Sequence, residues 1–142
     1  MTRMALMPAK RLLAFSLGLS LATAGCSDPI VPAIPTSATP TVIESFTDTL
    51  LVRGANTHRF TVQQVGGLKV SVDNVTPGAA VGLGVGTPSV GSCAVISNLT
   101  AVPGVAPQIS GTATVAGTFC VSVYDVGNLV EPVTYTVTVV HS

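Results

Sequence analysis

The side chains able to do chemistry are few: three cysteines, two histidines and six acids in 142 residues. No Cys-x-x-Cys pair exists, and His58 and His141 stand alone, so the spacing that builds a zinc site is missing. His58 is expected at the start of a strand beside a turn. His141 lies next to the end of the sequence, where chains fray. An active site needs a base, a nucleophile or a metal held in a cleft. No Ser-His-Asp or paired-carboxylate spacing supplies one locally, so the chain reads as non-catalytic. Asp125, Asn128 and Glu131, in "DVGNLVEP", are three oxygen donors on one loop. Calcium takes six to eight such donors. A plain turn with Gly127 and Asn128 at unusual φ uses the same residues, and both readings stay open. "GLGVG" (82–86) has the glycines of a nucleotide loop, but such a loop leads from a strand into a helix. Pro88 and Gly91 follow instead, so the stretch reads as a strand whose glycine face lets another backbone approach closely. No cofactor is expected.

The cysteines carry more. Cys93 and Cys120 fall at or near predicted strands, 27 residues apart. A disulfide between them is expected if the chain is exported to an oxidising compartment; two buried free thiols are the alternative.

Cys26 sits in "SLATAGCSDP" (20–29). Before it come Arg3, Lys10 and Arg11, then the uncharged apolar run "LLAFSLGLSLA" (12–22), then the small residues Thr23, Ala24 and Gly25. A basic start, a short apolar core and a small-residue cleavage region make a secretory signal. The apolar run is about half the ~20 residues a membrane-spanning helix needs. Small residues ending in cysteine resemble the lipobox of bacterial lipoproteins, with Thr23 where that family usually has leucine. The resemblance implies that residues 1–25 are removed and that Cys26 becomes a diacylglyceryl-modified N-terminus, a membrane anchor. Ser27, where an aspartate would favour the inner membrane, implies the outer membrane in a two-membrane host and the cell surface otherwise. An ordinary signal cut after Ala22–Ala24 would leave Cys26 a free thiol.

Cleavage before Cys26 leaves Arg53, Arg59 and Lys69 against all six acids, a net charge near −3. That excludes the clustered basic footprint of a nucleic-acid-binding protein. Charged residues make up 8% of the chain, against about a quarter in an average soluble protein. Threonine, serine and glycine supply the polarity, as in exported β proteins. Residues 26–42 form a linker. Within it "SDPIVPAIPTSATPT" (27–41) holds Pro29, Pro32, Pro35 and Pro40, which favour polyproline-like geometry. At ~3.1 Å per residue the stretch spans roughly 40–45 Å, a stalk between membrane and domain.

Residues 43–142 show no sustained helical period and several runs of alternating apolar residues. Phe60 and Val62 share one face. So do Leu68, Val70 and Val72; Val81, Leu83 and Val85; Phe119, Val121 and Val123; and Tyr135, Val137 and Val139. Weaker strands are expected over 44–52, 93–99 and 108–114. Turns are expected at Gly54–Asn56, Gly66–Gly67, Asn74–Gly78, Gly86–Gly91, Pro103–Pro107 and Asp125–Pro132. Eight short strands without helix predict an all-β, two-sheet, jelly-roll-like sandwich in one domain.

The runs "DTLLVRGANTHRFTV", "GGLKVSV", "AGTFCVSVYD" and "YTVTV", in that order over about 44–140, resemble the bacterial pre-peptidase C-terminal domain. Gly82 and Gly84 stand where that family carries alternating aspartates, so no role of those acids transfers. The resemblance implies a β-sandwich accessory to other proteins, without the catalytic domain it usually follows. Together these features lead to an exported, lipid-anchored envelope protein that binds a protein or a polysaccharide. The alternatives are a structural or assembly accessory without a specific ligand, and a small secreted enzyme.

Overall fold

The computed structural model describes residues 39–104 and 107–142. Cys26, the signal region 1–25 and linker residues 27–38 lie outside the described residues. Eight strands follow in chain order: β1 (Val42–Leu50), β2 (Ala55–Val62), β3 (Gly66–Thr76), β4 (Val81–Ser89), β5 (Ser92–Ala101), β6 (Ile109–Ala113), β7 (Gly117–Tyr124) and β8 (Val133–His141). All pairing is antiparallel. One sheet has the order β1-β8-β3-β6 and the other β2-β7-β4-β5. The pairs β1·β8, β2·β7, β3·β6 and β4·β5 nest like one long hairpin wound on itself. That is the jelly roll, in which two Greek keys share eight strands between two sheets.

The alternating faces meet between the sheets. Val70, Val72, Tyr135, Val137 and Val139 of the first sheet oppose Phe60, Val62, Val81, Leu83, Val121 and Val123 of the second, all buried. Leu50, Val75, Ala101, Ile109, Ala113, Leu129 and Val133 extend this core beyond the residues read from alternation. Val75 is buried out of phase with Val72 because the β3–β8 register shifts between Val72 and Asn74. Asp73 is the extra residue of that bulge, and one extra residue turns every later side chain over. The Gln108 side chain holds the spot: its amide oxygen accepts from the Val72 N–H at 2.6 Å and its amide nitrogen donates to the Val72 and Val102 carbonyls.

Four expected turns move: Asn74–Thr76 belong to β3 and Gly86–Ser89 to β4, which shortens the turns expected at Asn74–Gly78 and Gly86–Gly91. Ala55 and Asn56 belong to β2, and the β1–β2 turn is Leu51–Gly54, closed by the Gly54 N–H on the Leu51 carbonyl at 2.8 Å. Gly66 and Gly67 begin β3 rather than precede it.

Candidate functional site

Cys93 and Cys120 form a disulfide, with Cα atoms 5.8 Å apart. Their strands are not neighbours, since β4 runs between β5 and β7. Strands two apart in a flat sheet lie about 9.5 Å from each other, so β5 must fold over the outer surface of β4 to close the bridge. The glycines of "GLGVG" permit this. With Val81, Leu83 and Val85 facing the core, Gly82, Gly84 and Gly86 face outward. A Cβ on Gly82 would strike the Tyr124 ring, and one on Gly86 the main chain of Ala94. On Gly84 it would meet a Val95 methyl at 2.9 Å. Gly84 and Gly86 are thus the seat of β5 and Gly82 that of Tyr124 from β7, and Cys93 is carried across β4 to Cys120.

A polar seam that the sequence did not announce runs between the sheets where edge strands β1 and β2 face each other. His58, in the middle of β2 rather than at its start, sits 2.6 Å by Nε2 from the Tyr135 hydroxyl of β8. Its ring stacks on Phe46 of β1 at 4.9 Å. Burial lowers the His58 pKa, partly offset by the Asp48 carboxylate. The neutral ring then accepts the Tyr135 hydroxyl proton at Nε2. Burial pushes the Tyr135 phenol up to about 12; a hydrogen bond from Asn56 works against this, and Asp48 adds to it. Further along, His141 is only 2% exposed and sits in β8 rather than fraying. Its Nε2 meets Glu44 Oε1 at 3.0 Å and its Nδ1 the Ser142 carbonyl at 3.1 Å. No buried side-chain nitrogen or oxygen among the described residues lacks a partner. The seam's polar groups face one another, and the chemistry this arrangement supports is cohesion between sheets.

The loop Asp125–Pro132 is organised by Asp125. Its Oδ2 accepts from the Arg53 N–H at 2.7 Å, and its Oδ1 accepts from the N–H groups of Gly127, Asn128 and Leu129. These donors, Arg53 first, hold the Asp125 carboxyl below the usual carboxylate range. They also fix Arg53 at a left-handed φ of 58°. Asn128 donates its side-chain amide to the Ala80 carbonyl at 3.1 Å. Four N–H groups converge on Asp125, the opposite of what a cation needs, so Asp125, Asn128 and Glu131 are a turn. Gly127 takes the positive φ there and Asn128 does not. Among the described residues no group of three or more His, Cys, Asp or Glu side chains is placed to hold a metal.

The outer face of the first sheet is a grid of short polar side chains. Cross-strand rows read Ser45–Thr138–Ser71, Thr47–Thr136–Asn74 and Thr49–Thr134–Thr76. Hydroxyls pair across strands, Ser45 with Thr138 at 3.3 Å and Thr47 with Thr136 at 3.0 Å, and the Thr138 hydroxyl donates to Asp73 of the bulge. Asp73 and Lys69 are the only charges on the β8 and β3 part of this face. Compared with known protein families and with curated proteins, the chain matches no family and no curated relative.

Proposed function

We propose that this chain is exported, carries a lipid on Cys26, and holds its jelly roll at the cell envelope as a non-catalytic module that binds a protein or a polysaccharide. The observation that carries the reading is the Cys93–Cys120 bridge. A domain that joins its own two cysteines suits an oxidising compartment. It also leaves Cys26 as the odd thiol, in the one place where small residues follow an apolar run. The resemblance to pre-peptidase C-terminal domains supports an accessory, binding role. The Ser/Thr grid on the first sheet, with Lys69 and Asp73 as the only charges of its β3 and β8 part, suits a neutral partner such as a polysaccharide, because its hydroxyls offer donors and acceptors without charge.

The N-terminal peptide of protein extracted from membranes tests the anchor. Its expected mass is that of a peptide beginning at Cys26 plus acyl groups. An unmodified peptide beginning at Gly25, Ser27 or Asp28 overturns the reading.

A further inference from the structure

Among the described residues each sheet has two unpaired edges, β1 and β6 in the first sheet, β2 and β5 in the second. Edge strands pair with other chains unless charge, proline, shortness or a bulge prevents it. β1 carries Glu44 and Asp48, β2 carries Arg59, and β6 has Gly111 at its centre, where glycine weakens a strand. β5 is ten residues long and has neither charge nor proline. Its bulge is at Ile96, the extra residue between Ser97, opposite Val85, and Val95, opposite Gly86. The half before the bulge is tied over β4 by Cys93. The half after it, Ser97–Ala101, runs regularly along Val81–Val85, and no strand among the described residues pairs with its other edge.

We infer that this edge pairs with the same edge of a second copy of the chain, antiparallel about Leu99, joining two second sheets into one. A two-fold contact must fit itself, and these five residues do. The operation sets Leu99 opposite Leu99, Asn98 opposite Thr100 and Ser97 opposite Ala101. Leu99, on the core side and only partly buried, finishes its burial against its own copy, while Asn98 and Thr100 match amide to hydroxyl on the outer side. No antiparallel register of β5 on itself opposes like charges, which would be destabilising. The same operation about Phe46, the centre of β1, sets Glu44 opposite Asp48 of the copy. Beside β5 lies an apolar slot of about 180 Å³, lined by Leu68, Val85, Ile96, Ile109, Ala113 and Phe119, with Ile96 76% exposed. A strand added outside β5 shields that mouth. The inference goes beyond the anchored-module reading and holds whether or not Cys26 carries lipid.

Cysteine cross-linking of the full chain, in whichever fraction holds it, membrane or soluble, tests it. Residues opposite each other in an antiparallel pair have Cα atoms about 4.5–5.5 Å apart, within the roughly 4.4–6.8 Å that a disulfide spans. Leu99→Cys, mildly oxidised with copper–phenanthroline, is expected to give a reducible product of twice the chain's mass. The yield should be at least tenfold above that of Thr49→Cys on the β1 edge, which reports random collision. Because Leu99 packs partly on the core, the exposed pair Asn98→Cys with Thr100→Cys repeats the test without touching it. Adding Thr100→Lys to Leu99→Cys should lower the yield at least fivefold with the Cys93–Cys120 bridge intact by mass. Cross-linking no better than Thr49→Cys in both cysteine variants, or a linked product of any other mass, overturns the inference.

Discussion

Gly86 decides whether β5 can lie over β4. A Cβ there meets the Ala94 main chain, which has no rotamer to change, whereas at Gly84 it meets only the two methyls of Val95, at 2.9 and 3.0 Å, a side chain that can shift outward because it is 38% exposed. Overpacking a fixed contact costs about 1–3 kcal/mol. Gly86→Ala is therefore expected to destabilise by about 3 kcal/mol and Gly84→Ala by less than about 1 kcal/mol, as read from urea unfolding. Equal losses would contradict the hairpin seat. Tyr135 gives a second test at this scale. Unfolded, its phenol ionises near 10; folded, it keeps its proton up to about 12. A pKa raised by folding gives stability that is whole below the unfolded value and is lost as pH climbs through the folded one. Wild-type stability should thus fall between pH 10 and about 12. Tyr135→Phe should lose about 1 kcal/mol at pH 7, for its hydrogen bond to His58, and lack most of that alkaline decline. A decline of the same size in the variant would assign it to other groups.

At the scale of strands, the bridge ties β5 to β7 across β4 and closes a separation of 27 residues. The loop-entropy relation puts its contribution near 3.5 kcal/mol. Replacing Cys93 and Cys120 together by alanine is expected to cost about 2–5 kcal/mol while the β signature in circular dichroism persists. Alkylation of both thiols in native exported protein would show that the bridge does not form there. These strands were legible in the sequence because period-two alternation is a direct record of one buried face: Leu68, Val70 and Val72, or Tyr135, Val137 and Val139, need no partner to be recognised. The glycine face of β4 was legible for the same reason. The turn at Gly54–Asn56 was misplaced because Arg53, not a second turn former, takes the left-handed φ, held there by Asp125 from 72 residues away. The His58–Tyr135 and Glu44–His141 pairs were not legible. Their partners are 77 and 97 residues apart, and β1 turns acids inward, against the pattern by which polar side chains mark the solvent face. The nesting of first strand on last brings Glu44 to His141, and the packing of one sheet on the other brings His58 to Tyr135.

For the molecule as a whole, the proposed anchor at Cys26 and the Cys93–Cys120 bridge would divide place from stability, and that division can be tested by exchanging the measurements. Cys26 lies outside the described residues, and all eight described strands fall within Val42–His141. Its replacement is expected to leave unfolding of the β-sandwich unchanged, as independent sites do. The anchor it would carry holds two acyl chains. One chain gives only marginal membrane residence and two give stable residence. Electrostatics adds nothing, since a net charge near −3 on residues 26–142 offers no basic patch to anionic lipid. The wild-type chain should therefore stay with membranes through 1 M salt and enter the detergent phase on phase separation. Cys26→Ser should leave the detergent phase, or keep its signal uncut, with a urea midpoint equal to wild type for any released protein. Cys93→Ala with Cys120→Ala should do the reverse, remaining in the detergent phase with a lowered midpoint. Detergent-phase partitioning of released, signal-cleaved Cys26→Ser would locate the membrane attachment elsewhere, because at that point neither the lipid nor the apolar run of residues 12–22 remains to account for it.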